Sequence, residues 1–161
     1  MILTVATLLF ALGVEPGAKR PPVRVDAEEV RYSYKERTIT FVGRPTVKLT
    51  REDAVLLCTQ VLAENDADGK IARATCTGGV RLVRGSRTVT CDSAVFVEAT
   101  ALVTCRSAPG RPVSMVDGSS TVTGQELVYD LDRDLVTLRG QVVGDIVPQG
   151  QLSTVRKSGK R

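Results

Sequence analysis

The chain has 161 residues, 42% hydrophobic and only 4% aromatic, with 22 basic and 18 acidic side chains and neither histidine nor tryptophan. That length bounds a single domain burying roughly two thirds of its unfolded surface, and the missing histidine excludes Ser-His-Asp and Cys-His catalysis and removes the commonest zinc ligand. Four of the basic residues (Arg156, Lys157, Lys160 and Arg161) crowd the last six positions, so the body is charge-balanced and lacks the positive field of a nucleic-acid binder.

In chain order, Ile2 to Val14 is an almost unbroken apolar run of 13 residues. It is shorter than the roughly 20 residues of a membrane span and fits the core of a secretory signal. Residues 1–18 are therefore predicted as a signal peptide cleaved near 13 or 18, with a retained anchor as the alternative, which implies export and, in a bacterium, the periplasm. No Lys or Arg precedes the run, which departs from the usual signal pattern. Glu15 to Pro22 is a Pro/Gly linker, and residues 19–147 form the predicted domain.

That domain repeats one unit four times. Val25, Ala27, Val30 and Tyr32 match Leu56, Cys58, Val61 and Ala63, then Val89, Cys91, Ala94 and Phe96, then Val122, Gly124, Leu127 and Tyr129. Copies start 31, 33 and 33 residues apart, a period that marks stacked units sharing one core. A second short strand follows in each copy, at 39–43, 74–78, 103–105 and 136–140. Turn signals separate the strands at Asn65–Gly69, Arg84–Ser86, Pro109–Pro112, Asp117–Ser119 and Asp130–Asp134. The punctuation predicts strands of about 5–9 residues. No helix is predicted after the signal, and 148–161 reads as a disordered basic tail.

The inward pattern runs i, i+2, i+5, i+7. Its step of three breaks the strand period of two and would turn the later residues to the wrong face. A bulge or bend at Glu28–Glu29, Thr59–Gln60, Asp92–Ser93 and Gln125–Glu126 restores the face. Four stacked bends crease the sheet along one line and fold it toward itself around an aliphatic interior.

The cysteines follow the repeat. Cys58 and Cys91 hold one small inward position, and Cys76 and Cys105 hold the matching place on the second strand. Small buried hydrophobes explain each of them. In an oxidising compartment Cys58–Cys91 and Cys76–Cys105 could pair as disulfides, in registers that bring the Cα atoms to about 5.5 Å. No Cys-x-x-Cys spacing occurs, so no metal site is expected. Asp66/Asp68 and Asp130/Asp132/Asp134 suit inter-strand turns, and Asp130 begins no calcium loop, lacking the Gly and Glu such a loop requires. Gly43, Gly78 and Gly79 precede no helix that could cradle phosphate. No converging catalytic group is present, so no enzyme and no cofactor are expected.

Val25 to Tyr32 resembles the "ADxxxY"-type opening of the OstA-like, LptA-type family of periplasmic lipopolysaccharide-transport proteins. Gly78 to Gly85 resembles that family's "GNVxxxxG" element, with Gly79 in place of Asn. Thr123 to Asp130 and Val136 to Gly140 repeat the pattern, and the likeness spans about 23–146. It implies a creased antiparallel β-jellyroll that binds lipid A acyl chains and assembles end to end. The implied partners are lipopolysaccharide and the transport proteins of the inner and outer membranes, with head-to-tail homo-oligomers through edges at Val25 and at Val142 and Val143. Groove candidates are Val30, Tyr32, Phe41, Val61, Phe96, Leu127, Tyr129 and Leu138. The same inward positions would equally fill the core of an envelope scaffold that holds no lipid.

Overall fold

The computed structural model describes residues 21–147. The predicted signal peptide at 1–18 and the tail at 148–161 lie outside the described residues. Everything described is extended chain or turn. The strands are β1 (Arg24–Asp26), β2 (Glu29–Ser33), β3 (Thr38–Arg51), β4 (Ala54–Asn65), β5 (Ile71–Arg84), β6 (Arg87–Val97), β7 (Leu102–Arg106), β8 (Val113–Asp117), β9 (Ser120–Gly124), β10 (Glu126–Asp130), β11 (Leu135–Arg139) and β12 (Val143–Asp145). Val, Thr and Leu recur along them, residues whose branched or bulky side chains suit a pleated surface. All pairings are antiparallel within one 12-stranded sheet.

Each long strand bends at its midpoint. The β3–β4 register shifts between Val42 and Val47, the β4–β5 register between Leu57 and Gln60, and the β5–β6 register between Thr77 and Val80. These breaks fall where the step of three requires a change of face. Strands β3 and β5 run 14 residues through the bend, longer than the predicted 5–9, because a bulge redirects a strand without ending its ladder. The bends split the sheet into two arms. One arm holds β1, the later halves of β3 and β5, the earlier halves of β4 and β6, then β8, β9 and β12. The other holds β2, the complementary halves, then β7, β10 and β11.

Glycine makes the crease passable. A Cβ on Gly43 would lie 1.9 Å from the Thr46 carbonyl carbon, where β3 turns through the cis Arg44–Pro45 bond. Gly78 has φ +85°, and the Thr59 hydroxyl of the adjacent strand donates to its carbonyl at 2.7 Å.

Between the arms lies an aliphatic core that includes Val47, Val61, Val80, Val89, Val113, Leu127 and Tyr129. Each such side chain contributes about 1.5–3 kcal/mol on burial. The offsets hold in the central copies: Leu56, Cys58, Val61 and Ala63 are buried, as are Val89, Cys91 and Ala94. They fail in the first copy, where Val30 and Tyr32 are exposed on β2. That strand is an edge, and no following strand covers it.

A second correction concerns the cysteines. All four are buried free thiols. Cys58 is on β4 and Cys91 on β6 with β5 between them, and β6 likewise separates Cys76 from Cys105. Because each repeat is a hairpin, like positions in successive copies stand two strands apart, about 9.5 Å, beyond disulfide reach.

Gly78→Ala is expected to destabilise the protein more than Gly79→Ala in urea unfolding. Both positions pay about 1–2 kcal/mol for a left-handed backbone, but only at Gly78 would the new Cβ meet a neighbour, Thr59 at 2.5 Å. Equal midpoints for the two variants would contradict this account of the crease.

Candidate functional site

The interior is not filled evenly. Toward the C-terminal end, Val113, Leu127 and Tyr129 pack with no more than 1% exposure. Toward the N-terminal end an apolar cavity of about 140 Å³ remains between the arms. Val25, Leu49, Leu56 and Leu82 line it from one arm, and Phe41, Val61, Ala74, Phe96 and Val103 from the other. Val23, Ala54, Ala63, Ile71, Cys76 and Leu131 complete its apolar lining, and Arg51 and Glu98 are its charged lining residues.

Of the groove candidates, Phe41, Val61 and Phe96 meet at this cavity. Leu127 and Tyr129 sit in the filled half, and Leu138 packs against it. Val30 and Tyr32 point to solvent, Tyr32 stacked on Tyr34 with ring centroids 6.2 Å apart. The leucines of the first arm were missed because only the later repeat positions were followed. Val25 and Leu56 hold the first repeat position, and that signal was available. Of the edge candidates, Val25 reaches the cavity from β1, while Val142 and Val143 are exposed at the other end of the sheet.

Opposite the crease, the hairpin turns of the two arms meet along a polar seam. Arg51 pairs with Glu98 at 3.4 Å, its guanidinium 5.8 Å from the Phe96 ring centre. Arg84 donates to the Leu131 carbonyl at 3.1 Å. Arg87 donates to both Asp134 oxygens, at 2.8 and 2.6 Å, and to the Tyr129 hydroxyl at 3.0 Å. The Tyr129 hydroxyl in turn donates to Asp134 at 2.5 Å. Hydrogen bonds from Arg87 first, and from Tyr129 second, hold the Asp134 carboxyl at about 2. Burial, then the bond to Asp134, raises the Tyr129 phenol. The network closes the filled half, whereas Arg51–Glu98 stands at the cavity.

Asp66 and Asp130 cap their own turns. Asp66 Oδ1 accepts from the amides of Asp68 and Lys70, and Asp130 Oδ1 from those of Asp132 and Arg133. The arrangement suits a small apolar group: the walls of the cavity are hydrocarbon, and Arg51 and Glu98 are its charged lining residues.

Asp134 also sets a pH dependence. A carboxyl depressed below its ordinary 3.8 adds stability that is fully present above that value and lost as pH falls toward 2. Asp134→Asn is expected to flatten the fall in urea midpoint between pH 4 and 2. An unchanged slope would remove Asp134 from the seam.

No family model matches the chain, and no curated protein does. Among solved structures it is similar to LptH, the LptA-homologous periplasmic component of the lipopolysaccharide transport device of Pseudomonas aeruginosa. The TM-score is 0.66 at 16% identity, covering 80% of this chain and 96% of that one. The two share the creased antiparallel fold. No helix among the described residues is long and apolar enough to cross a membrane.

Proposed function

We propose that this protein is a periplasmic, non-enzymatic lipid-binding module. It shields the acyl chains of lipopolysaccharide between its arms and passes them toward the outer membrane in an end-to-end assembly with other transport proteins. The observation that carries the reading is the apolar cavity at the N-terminal end of a fold shared with a lipopolysaccharide-transport component.

Magnitudes favour entry by parting the arms. A cavity of about 140 Å³ is of the class that holds one small apolar molecule, such as benzene in a roughly 150 Å³ engineered void. A full acyl chain needs more room. The Arg51–Glu98 contact that spans the mouth is worth about 1 kcal/mol or less, and its stacking on Phe96 a similar amount. Each buried methylene returns about 0.8 kcal/mol, so a few methylenes outweigh the closure.

The sheet ends suit end-to-end growth. Strands β1, β2, β11 and β12 have no outer partner among the described residues. In one arm the edges β1 and β12 each have 3 residues; in the other, β2 and β11 each have 5. The two ends therefore match in length, arm by arm, and open edges template strand addition. Exposed Val23, Val30 and Tyr32 at one end and Leu135, Val142 and Val143 at the other supply apolar contact.

The filled C-terminal half supports a second reading, an envelope scaffold without lipid. In-cell photo-crosslinking separates the two. A photoreactive residue at Phe96 is expected to yield lipopolysaccharide adducts, and one at Thr90, exposed on the same strand, none. A folded protein with no adduct at Phe96 would leave the scaffold.

A further inference from the structure

We propose that Arg51 receives an anionic headgroup, so that the cavity selects an alkyl chain ending in a phosphate or carboxylate over a neutral one. This ligand class rests on the reading of the cavity as a lipid site and narrows what that site accepts.

Two arginines in the same place of successive repeats differ in how they are held. Strands β3 and β5 each have 14 residues and end in arginine, Arg51 and Arg84. Both reach across the seam to a partner 47 residues further on, Glu98 and Leu131. Arg84 is well served. It donates to the Asp53 carboxylate and to the Leu131 carbonyl, both at 3.1 Å, and Asp134 lies 3.6 Å away. Arg51 is the less exposed of the two, its side chain 14% against 20%, yet among the described residues its ion-pair partner is Glu98 alone. Both contacts of that pair are 3.4 Å long, beyond the roughly 2.7–2.9 Å of a strong charge-assisted bond. A guanidinium presents five donors in a fork that matches a carboxylate or phosphate. Arg51 therefore has the geometry to grip an anion and holds its present one loosely.

Parting the arms would give it that need. Arg51 closes β3 in one arm, whereas Phe96 and Glu98 belong to the other. Opening draws the guanidinium away from its carboxylate and from the Phe96 ring, now 5.8 Å away. A neutral alkyl chain entering there leaves a cation against hydrocarbon, which is unfavourable. An anionic head on the same chain restores the pair. Glu98 has a more exposed side chain, at 38%, and keeps access to water on its turn. Of the acids that follow Arg51, Asp53 accepts from Arg84 and Glu52 is exposed. The cavity of about 140 Å³ then takes the end of one tail, with the charge at the mouth.

Calorimetric titration of the full chain with octyl phosphate, octanoate, octanol and octylammonium, each below its micelle concentration, tests this. At least one anion is expected to bind about tenfold tighter than octanol, and octylammonium no tighter than octanol. Tighter octyl phosphate assigns a phosphorylated lipid, and tighter octanoate a free fatty acid. In Arg51→Gln the anion-to-octanol affinity ratio is expected to fall to about one. Arg51→Lys should keep part of it, and Glu98→Gln, which removes the internal competitor, should raise it. Arg81→Gln removes an exposed charge between buried Val80 and Leu82 and should leave the ratio intact. Equal binding of anions and octanol, a ratio that survives Arg51→Gln, or one that Arg81→Gln abolishes as well would overturn the proposal while the apolar cavity stands. Binding of none of the four ligands would overturn the cavity reading, and the proposal with it.

Discussion

The whole architecture depends on one parity constraint. A strand alternates faces with period two, so an apolar step of three can stay inward only if the backbone bends. The step recurs from Ala27 to Val30, Cys58 to Val61, Cys91 to Ala94 and Gly124 to Leu127. Stacked in register, the bends become a hinge line running across the sheet. Gly43 and Gly78 occupy that line because a Cβ would strike Thr46 and Val47 of the same bent strand at Gly43, and Thr59 of the adjacent strand at Gly78. The two arms, the shared interior and the polar seam opposite all follow from that hinge.

The crease also explains why the two ends of the interior differ. In the C-terminal half, β8 and β9 extend one arm while β7 and β10 extend the other, and Val113, Leu127 and Tyr129 fill the space between. Arg87, Tyr129 and Asp134 tie the turns together there. In the N-terminal half the arms end at the edge strands β1 and β2, and Val30 and Tyr32 on β2 are exposed instead of inward. The space between Leu49, Leu56 and Leu82 on one side and Phe41 and Phe96 on the other stays open.

The repeat made the strand pattern, the bend positions and the inward set of the central copies legible in advance, because parity is a local property. What it could not carry is adjacency. Like positions in successive copies seemed to be neighbours, yet each copy is itself a hairpin and places a strand between them. That is why β5 stands between Cys58 and Cys91. Nor does a repeat announce where it lacks a neighbour: Val30 and Tyr32 share the pattern of Val61 and Ala63 but lie on an edge. The seam arginines lie at strand ends, Arg51 and Arg84 closing β3 and β5 and Arg87 opening β6. Their partners, Glu98, Leu131 and Asp134, lie 47 residues further along the chain, beyond the reach of local pattern.

The central claim is that the arms part around the crease to admit an acyl chain. It is tested most directly by energy transfer between dyes on non-canonical residues at Glu52 and Asp68. These are exposed positions on turns of opposite arms, outside the seam contacts. Titration with lipopolysaccharide is predicted to lower the transfer efficiency in step with binding. Stoichiometric binding with unchanged efficiency would contradict the account, since the lipid would then sit outside a cavity that never opens.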